Sequence, residues 1–157
     1  MAAVKTLFIS VFICLSVFAN AQTIAEWNFN SIPNDLDLAT GNNLPRIGSG
    51  TITNIGFVTN SFENATGSSD PVPSDNTSYS TSNYPNSTEN DKTAGIEIAI
   101  NTTGYVGIVF KFDLSCFQNA ANEYVVQYSI DGNTFIDLET IIIAPDNVFP
   151  SVEYVVQ

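Results

Sequence analysis

The sequence has no histidine, two cysteines and four basic residues, and each shortage excludes a class of function. Without histidine, zinc fingers, histidine-ligated zinc hydrolases and Ser-His-Asp catalysis lack their ligands or their general base. The four lysines and arginines stand against sixteen acidic residues, which gives a formal net charge of −12. Binding to nucleic acid requires clustered Lys and Arg to neutralise phosphates, so we do not expect it of this segment.

Catalysis is not expected of this segment either. It has no Gly-rich phosphate loop and no Rossmann spacing. A pair of acids for glycoside hydrolysis stays open as an alternative, although sixteen scattered acids offer many pairs without meaning. We therefore predict no catalytic residues, and leave open whether the full-length protein is an enzyme.

The N-terminus has the pattern of an export signal. Lys5 precedes an apolar run over residues 7–18, which ends at Ala19-Asn20-Ala21. A basic start, an apolar core and an Ala-x-Ala site predict a secretory signal peptide over residues 1–21. The alternative is an uncleaved N-terminal anchor, but the run is shorter than the roughly 20 residues of a membrane span. We expect Sec-dependent export to the cell surface or the medium, with no membrane span after cleavage.

One cysteine, Cys116, remains in the mature chain of residues 22–157. An internal disulfide is then impossible, so this exported domain must be stabilised by its hydrophobic core. Cys116 ends an apolar stretch and has no histidine partner in the sequence. We expect a buried thiol that acts as a small apolar side chain.

The hydrophobic pattern has a period of two, which predicts β-strands rather than helices. One apolar face is expected to comprise Val106, Ile108, Phe110, Phe112 and Leu114. A second strand carries Ile96, Ile98 and Ile100. A first strand over residues 25–29 directs Trp27 and Phe29 inward. The fold class predicted is all-β, an antiparallel β-sandwich of the jelly-roll or lectin-like type.

A hairpin is predicted between residues 124–130 and 134–139. A three-residue loop, Asp131-Gly132-Asn133, pairs Tyr128 with Ile136 and Val126 with Leu138, which keeps the apolar side chains on one face. It places Gly132 or Asn133 in the left-handed region. A two-residue loop would put carboxylates on that face.

Residues 59–93 are rich in Ser, Thr, Asn, Asp and Pro. We predict a flexible polar loop at one end of the sandwich, because such a composition builds no core. The last residues, 152–157, have the pattern of a strand. Because no closing strand follows, we expect a C-terminally truncated domain that belongs to a longer protein.

The acidic residues of the loops suggest calcium as the one cofactor to consider. Calcium takes six to eight oxygens from carboxylates, carbonyls and water. Asp35 and Asp37 are the candidate metal ligands, and Asp70, Asp75 or Asp91 of the polar stretch could contribute. None follows an EF-hand pattern, so the alternative is that these are solvated loop acids.

Carbohydrate is the other ligand considered. Aromatic rings stack on the apolar face of a sugar, while amides and carboxylates bind its hydroxyls. The candidate ligand-binding residues are Tyr79, Tyr84 and Tyr105, and Trp27 is expected in the core. The tyrosines could equally have no ligand.

Three segments resemble a domain of exported bacterial proteins. Residues 110–114 and the "VQYSxDGxxF" hairpin within residues 122–135 carry the resemblance, with the "W-x-F" of residues 27–29. Such domains are similar to jelly-roll or lectin-like sandwiches in multidomain secreted and surface proteins of Bacteroidetes. They often stand beside nuclease domains, adhesive repeats or a sorting signal. The phrase is structural, so it implies no functional residue.

These observations favour a non-catalytic β-sandwich module of a secreted or cell-surface protein. It would bind glycans or other surface proteins as an adhesive unit, or act as a spacer. The alternative is an accessory domain of an exported hydrolase or nuclease whose catalytic domain lies beyond residue 157.

Overall fold

The computed structural model describes residues 21–70, 75–86, 92–117, 120–121, 123–144 and 151–156. Within them the chain forms ten strands and no helix. The strands are β1 (Ala25–Glu26), β2 (Ile47–Gly48), β3 (Gly50–Ile55), β4 (Thr59–Asn64), β5 (Thr77–Ser82), β6 (Gly95–Ile100), β7 (Ile108–Asp113), β8 (Glu123–Tyr128), β9 (Ile136–Ile142) and β10 (Ser151–Val156). The predicted signal peptide lies outside the described residues, except for Ala21.

All the described strand pairs are antiparallel. Two of the longer pairs each enclose a hairpin in the sequence between their strands. β3 pairs with β6 and encloses the β4–β5 hairpin in sequence, while β7 pairs with β10 and encloses the β8–β9 hairpin. The short strands β1 and β2 form a fifth pair. The all-β, antiparallel, sandwich-like class predicted from the hydrophobic period is confirmed.

The apolar face of β7 is largely as predicted. Phe110 and Phe112 stack with ring centroids 5.0 Å apart, and Phe112 stacks on Tyr154 of β10 at 6.2 Å. Val106 is a correction, because its side chain is 95% exposed. Gly107 has φ of +64° and the strand begins only at Ile108, so Val106 precedes the strand and does not share its face.

The polar stretch 59–93 is not one continuous loop, which corrects that prediction. β4 and β5 lie within it and pair over six residues, from Thr59 opposite Ser82 to Asn64 opposite Thr77. Phe62 lies opposite Tyr79, and their rings meet edge-on at 6.1 Å. Cross-strand aromatic pairs and β-branched threonines stabilise a strand even when most other side chains are polar.

The β8–β9 hairpin has the predicted register only near its turn. Tyr128 lies opposite Ile136, as predicted, and Gly132 has φ of +72°. Beyond Gln127 a β-bulge places Val126 opposite Glu139, so the predicted pair of Val126 with Leu138 is wrong. Gln127 donates from Nε2 to Oδ1 of Asp137 at 2.7 Å, which holds those two polar residues together. The bulge then absorbs Leu138 as one extra residue.

The first strand is shorter than predicted. β1 ends at Glu26, and Phe29 adopts a left-handed φ of +60°, so residues 27–29 do not continue the strand. Trp27 is half-buried and donates from Nε1 to the carbonyl of Asn43 at 3.0 Å. Phe29 is also half-buried, against the ring of Tyr79 at 5.3 Å.

The buried apolar side chains are few among the described residues: Ile52, Val58, Ala65, Cys116 and Ile143. Cys116 is 2% exposed, and its thiol donates to the carbonyl oxygen of Ile143 at 3.7 Å. Its predicted burial is confirmed. The contact joins the chain just after β7 to the chain just after β9.

Candidate functional site

Tyr79, a candidate for sugar binding, lies on β5 and is engaged inside the protein. Its ring packs between Phe29 and Phe62, and its hydroxyl donates to Oδ1 of Asn54 at 2.8 Å. Burial of the ring raises the pKa of Tyr79. These contacts give the side chain a structural role that connects β5 to β3.

Tyr84 and Tyr105 lie in different surroundings. The Tyr84 hydroxyl shares a hydrogen bond with Oγ1 of Thr81 at 2.8 Å. Tyr105 follows the turn after β6 and is 42% exposed. Among the residues that the structure describes, no ring contact or hydrogen bond joins any two of Tyr79, Tyr84 and Tyr105.

Among the described tyrosines, Tyr124 has the pKa that departs furthest from its ordinary value. It lies on β8, is half-buried and donates from its hydroxyl to the carbonyl of Ala121. Burial, and then the proximity of Cys116 and Tyr84, raise the pKa of Tyr124 to about 12. Tyr84 thus lies near Tyr124 of β8.

Asp35 and Asp37, the candidate metal ligands, organise an exposed turn. Asp35 accepts from the amide of Asp37 at 3.0 Å and from the hydroxyl of Thr40 at 2.7 Å, and the latter bond lowers the pKa of Asp35. Asp37 accepts from the amide of Ala39 at 3.0 Å. The described residues contain no group of three or more His, Cys, Asp or Glu side chains placed to hold a metal. Asp91, the other loop acid considered, lies outside the described residues.

A buried polar cluster lies where the β4–β5 connection enters β5. It comprises Asn30, Asp70, Asp75 and Thr77. Asn30 donates from Nδ2 to Oδ2 of Asp70 at 2.8 Å and accepts at Oδ1 from the amide of Thr77 at 2.8 Å. The hydroxyl of Thr77 donates to the carbonyl of Thr40 at 3.2 Å. The side chain of Asn30 thereby joins Asp70, within the connection, to the start of β5.

Asp75 is the least satisfied member of this cluster. It is 2% exposed, and neither carboxylate oxygen has a hydrogen-bond partner within the described structure. Oδ1 of Asp70 is likewise buried and without a partner there. Asp75 also has a left-handed φ of +59°. Sequence reasoning included both residues among several loop acids but had no signal to separate them from the exposed ones.

The turn of the β8–β9 hairpin borders a shallow depression of about 300 Å³. It is lined by Tyr128, Ile130, Asp131, Thr134 and Ile136. Oδ1 of Asp131 accepts from the amides of Asn133 and Thr134 at 2.8 and 2.7 Å, and these bonds lower the pKa of Asp131. The depression thus combines an aromatic ring, apolar side chains and a carboxylate. The sequence pattern predicted a hairpin for these residues but not a ligand site.

Comparison of the chain with protein-family models, curated proteins and solved structures finds no match. Within the residues described above, no helix has the length and apolar character needed to cross a membrane.

Proposed function

We propose that this chain is a non-catalytic β-sandwich module of an exported or cell-surface protein that binds glycans. The observation that carries the proposal is the depression at the β8–β9 turn, where Tyr128 and Asp131 lie beside exposed apolar side chains. Ile130 and Ile136 of the lining are 94% and 51% exposed, so apolar surface is accessible to a ligand there.

The chemistry of the depression suits a sugar. A tyrosine ring and an isoleucine offer apolar surface to the C–H face of a pyranose, while a carboxylate and a hydroxyl accept from and donate to its hydroxyls. The lowered pKa of Asp131 keeps its carboxylate ionised at neutral pH. A volume of about 300 Å³ lies at the lower end of the roughly 300–1,000 Å³ of small-ligand sites, so we expect a short saccharide.

The predicted export signal and the lack of histidine support a non-catalytic module outside the cell. The N-terminal pattern predicts export of the chain. Outside the cell, surface glycans are available as ligands. The chain has no histidine, and Cys116 is buried, so the commonest general base and the thiol nucleophile are not at its surface.

A glycan array probed with the purified chain tests the proposal. We expect binding to a restricted set of saccharides, which is lost in Tyr128→Leu, because this change removes the ring but keeps an apolar side chain. Thr134→Val removes one lining hydroxyl and leaves the backbone contacts of the turn, so it should weaken binding without unfolding the hairpin.

Tyr105→Leu is the matched control, since Tyr105 is exposed and does not line the depression. If binding is lost in Tyr105→Leu and kept in Tyr128→Leu, the ligand lies at Tyr105 and the proposed site is wrong. If a folded sample binds no glycan, the module is a spacer or binds a surface protein, and glycan recognition is refuted.

A further inference from the structure

We infer that Asp70 and Asp75 bind a divalent cation, of which calcium fits best, inside the β4–β5 connection. The inference is independent of glycan binding, because it concerns a different hairpin and different residues. Its basis is the pair of carboxylates in the buried polar cluster, three of whose four oxygens lack a partner within the described structure.

Burial makes these oxygens informative. A carboxylate removed from water is strongly disfavoured unless it is neutralised or hydrogen-bonded, and exposed acids carry no such requirement. Asp75 is 2% exposed with both oxygens unpartnered among the described residues, whereas the exposed Asp35 and Asp37 accept hydrogen bonds within their turn. The unpartnered buried oxygens of Asp75 and of the half-buried Asp70, rather than those of the exposed turn acids, therefore require a counter-charge.

No ion pair within the described chain joins a basic side chain to Asp70 or Asp75. Arg46 forms an ion pair with Glu26 at 3.0 Å, and Lys92 pairs with Asp137. Lys111 lies on β7 directly opposite Glu153 of β10. In the described structure none of the three is a hydrogen-bond partner of the buried carboxylate oxygens. A cation from solution is then the source of positive charge that remains.

The neighbouring groups suit calcium. Calcium accepts six to eight oxygen ligands in flexible geometry, and it readily takes carboxylates together with carbonyls and water. Asp75 and Asp70 offer carboxylate oxygens with free acceptor capacity. Asn30 contacts Asp70 within the connection and the amide of Thr77 at the start of β5, 40 and 47 residues away in sequence. A cation there would fix the β4–β5 connection to the chain that follows β1.

The test is the melting temperature of the full chain after removal of metal with a chelator. Calcium chloride is compared with magnesium chloride and with sodium chloride at matched ionic strength, so that screening is held constant. We expect calcium to raise the melting temperature above the sodium value in a concentration-dependent way, because binding to the folded state alone stabilises it. Isothermal titration calorimetry should give one calcium per chain.

Asp75→Asn should weaken calcium binding by at least about tenfold, since even residues that only support metal ligands change affinity by that factor. Asp35→Asn is the matched control and should leave the response intact, because it changes one exposed acid by the same charge. If Asp75→Asn does not fold, native mass spectrometry of the wild-type chain still tests calcium binding. The spectrum should show a single calcium adduct that survives mild activation.

Two results would overturn the inference. One is a wild-type chain whose melting temperature is the same in chelator and in calcium and whose native mass shows no adduct. The other is a calcium response lost in Asp35→Asn but kept in Asp75→Asn, which would place the cation at the exposed turn.

Discussion

A single exposed acid, Asp131, determines the geometry of the β8–β9 turn. Its carboxylate accepts from two successive backbone amides, those of Asn133 and Thr134, and from the hydroxyl of Ser129 at 2.9 Å. Gly132, between Asp131 and Asn133, takes the left-handed φ of +72° that a side chain would disfavour. The side chain thus satisfies amides that the short strands leave unpaired.

We expect Asp131→Ala to lower the melting temperature at pH 7, because the amides lose their acceptor. The pKa of Asp131 is lower in the folded chain than its ordinary value of 3.8, mainly through the amides of Thr134 and Asn133. Its stabilisation is therefore present above pH 3.8 and is lost as the pH falls towards the folded-state pKa. The difference between wild type and variant should shrink as the pH drops below 3.8.

Circular dichroism melts of both chains at pH 7 and at about pH 2.5, below the ordinary carboxyl pKa, would measure this. Asp131→Asn is the control, since an amide oxygen keeps the acceptor but does not titrate. A gap between wild type and Asp131→Ala that is equally large at both pH values would contradict the role of the ionised carboxylate.

At the scale of elements, β3, β4 and β5 are connected by polar side chains as well as by backbone pairing. Asn54 of β3 accepts from the Tyr79 hydroxyl of β5 and donates from Nδ2 to Oδ1 of Asn60 on β4 at 2.9 Å. The β4–β5 hairpin is thereby fixed against the β3–β6 pair that encloses it in sequence.

Tyr79→Phe should lower the free energy of unfolding by about 1 kcal/mol, the usual net value of a partly buried hydrogen bond. A double-mutant cycle with Asn54→Ala isolates the Tyr79–Asn54 contribution, because Asn54→Ala also removes the bond to Asn60. Chemical denaturation of the four chains gives the coupling energy.

Tyr105→Phe is the control for loss of a tyrosine hydroxyl at an exposed position and should change stability little. If Tyr79→Phe is as stable as wild type while glycan binding is lost, Tyr79 acts in recognition rather than in the fold. That result would contradict its structural role in connecting β5 to β3.

The sequence predicts some elements well and others not at all, and the reason is local. β7 and the turn-proximal half of the β8–β9 hairpin follow from alternating apolar residues and from Asp131-Gly132, both visible within a few positions. β4 and β5 escape detection because each has a single aromatic residue, Phe62 or Tyr79, among polar residues and so shows no apolar alternation. The bulge at Leu138 depends on which cross-strand partner Gln127 finds, which no single strand determines.

The candidate sites show the same limit. Asp35, Asp37, Asp70 and Asp75 are equivalent acids in the sequence. Only the contacts of Asn30 with Asp70 and Thr77, across 40 and 47 residues of chain, distinguish Asp70 and Asp75 from the two exposed acids. Long-range burial of that kind leaves no local pattern, so the sequence could name the residues but not rank them.

For the whole molecule, the architecture requires a compact chain, whereas the net charge favours an expanded one. Cross-strand pairing joins residues far apart in sequence, while a formal net charge of −12 on a chain of 157 residues favours expansion through self-repulsion. The described ion pairs, Arg46 with Glu26 and Lys92 with Asp137, are both largely exposed. Exposed pairs contribute little to stability, so they offset only part of the repulsion.

We therefore expect the melting temperature of the chain to rise as sodium chloride increases from low ionic strength to about 0.5 M, where the screening length falls to a few ångströms. Salt weakens the two ion pairs and the general repulsion alike, and with so large an excess of acids the repulsion outweighs the ion pairs. Differential scanning calorimetry after chelation of divalent metals measures the shift, and choline chloride at the same ionic strength controls for specific sodium binding. Equal rises in the two salts indicate screening. A melting temperature that falls with salt would mean that the few ion pairs outweigh the repulsion, and that the net charge does not limit the stability of this fold.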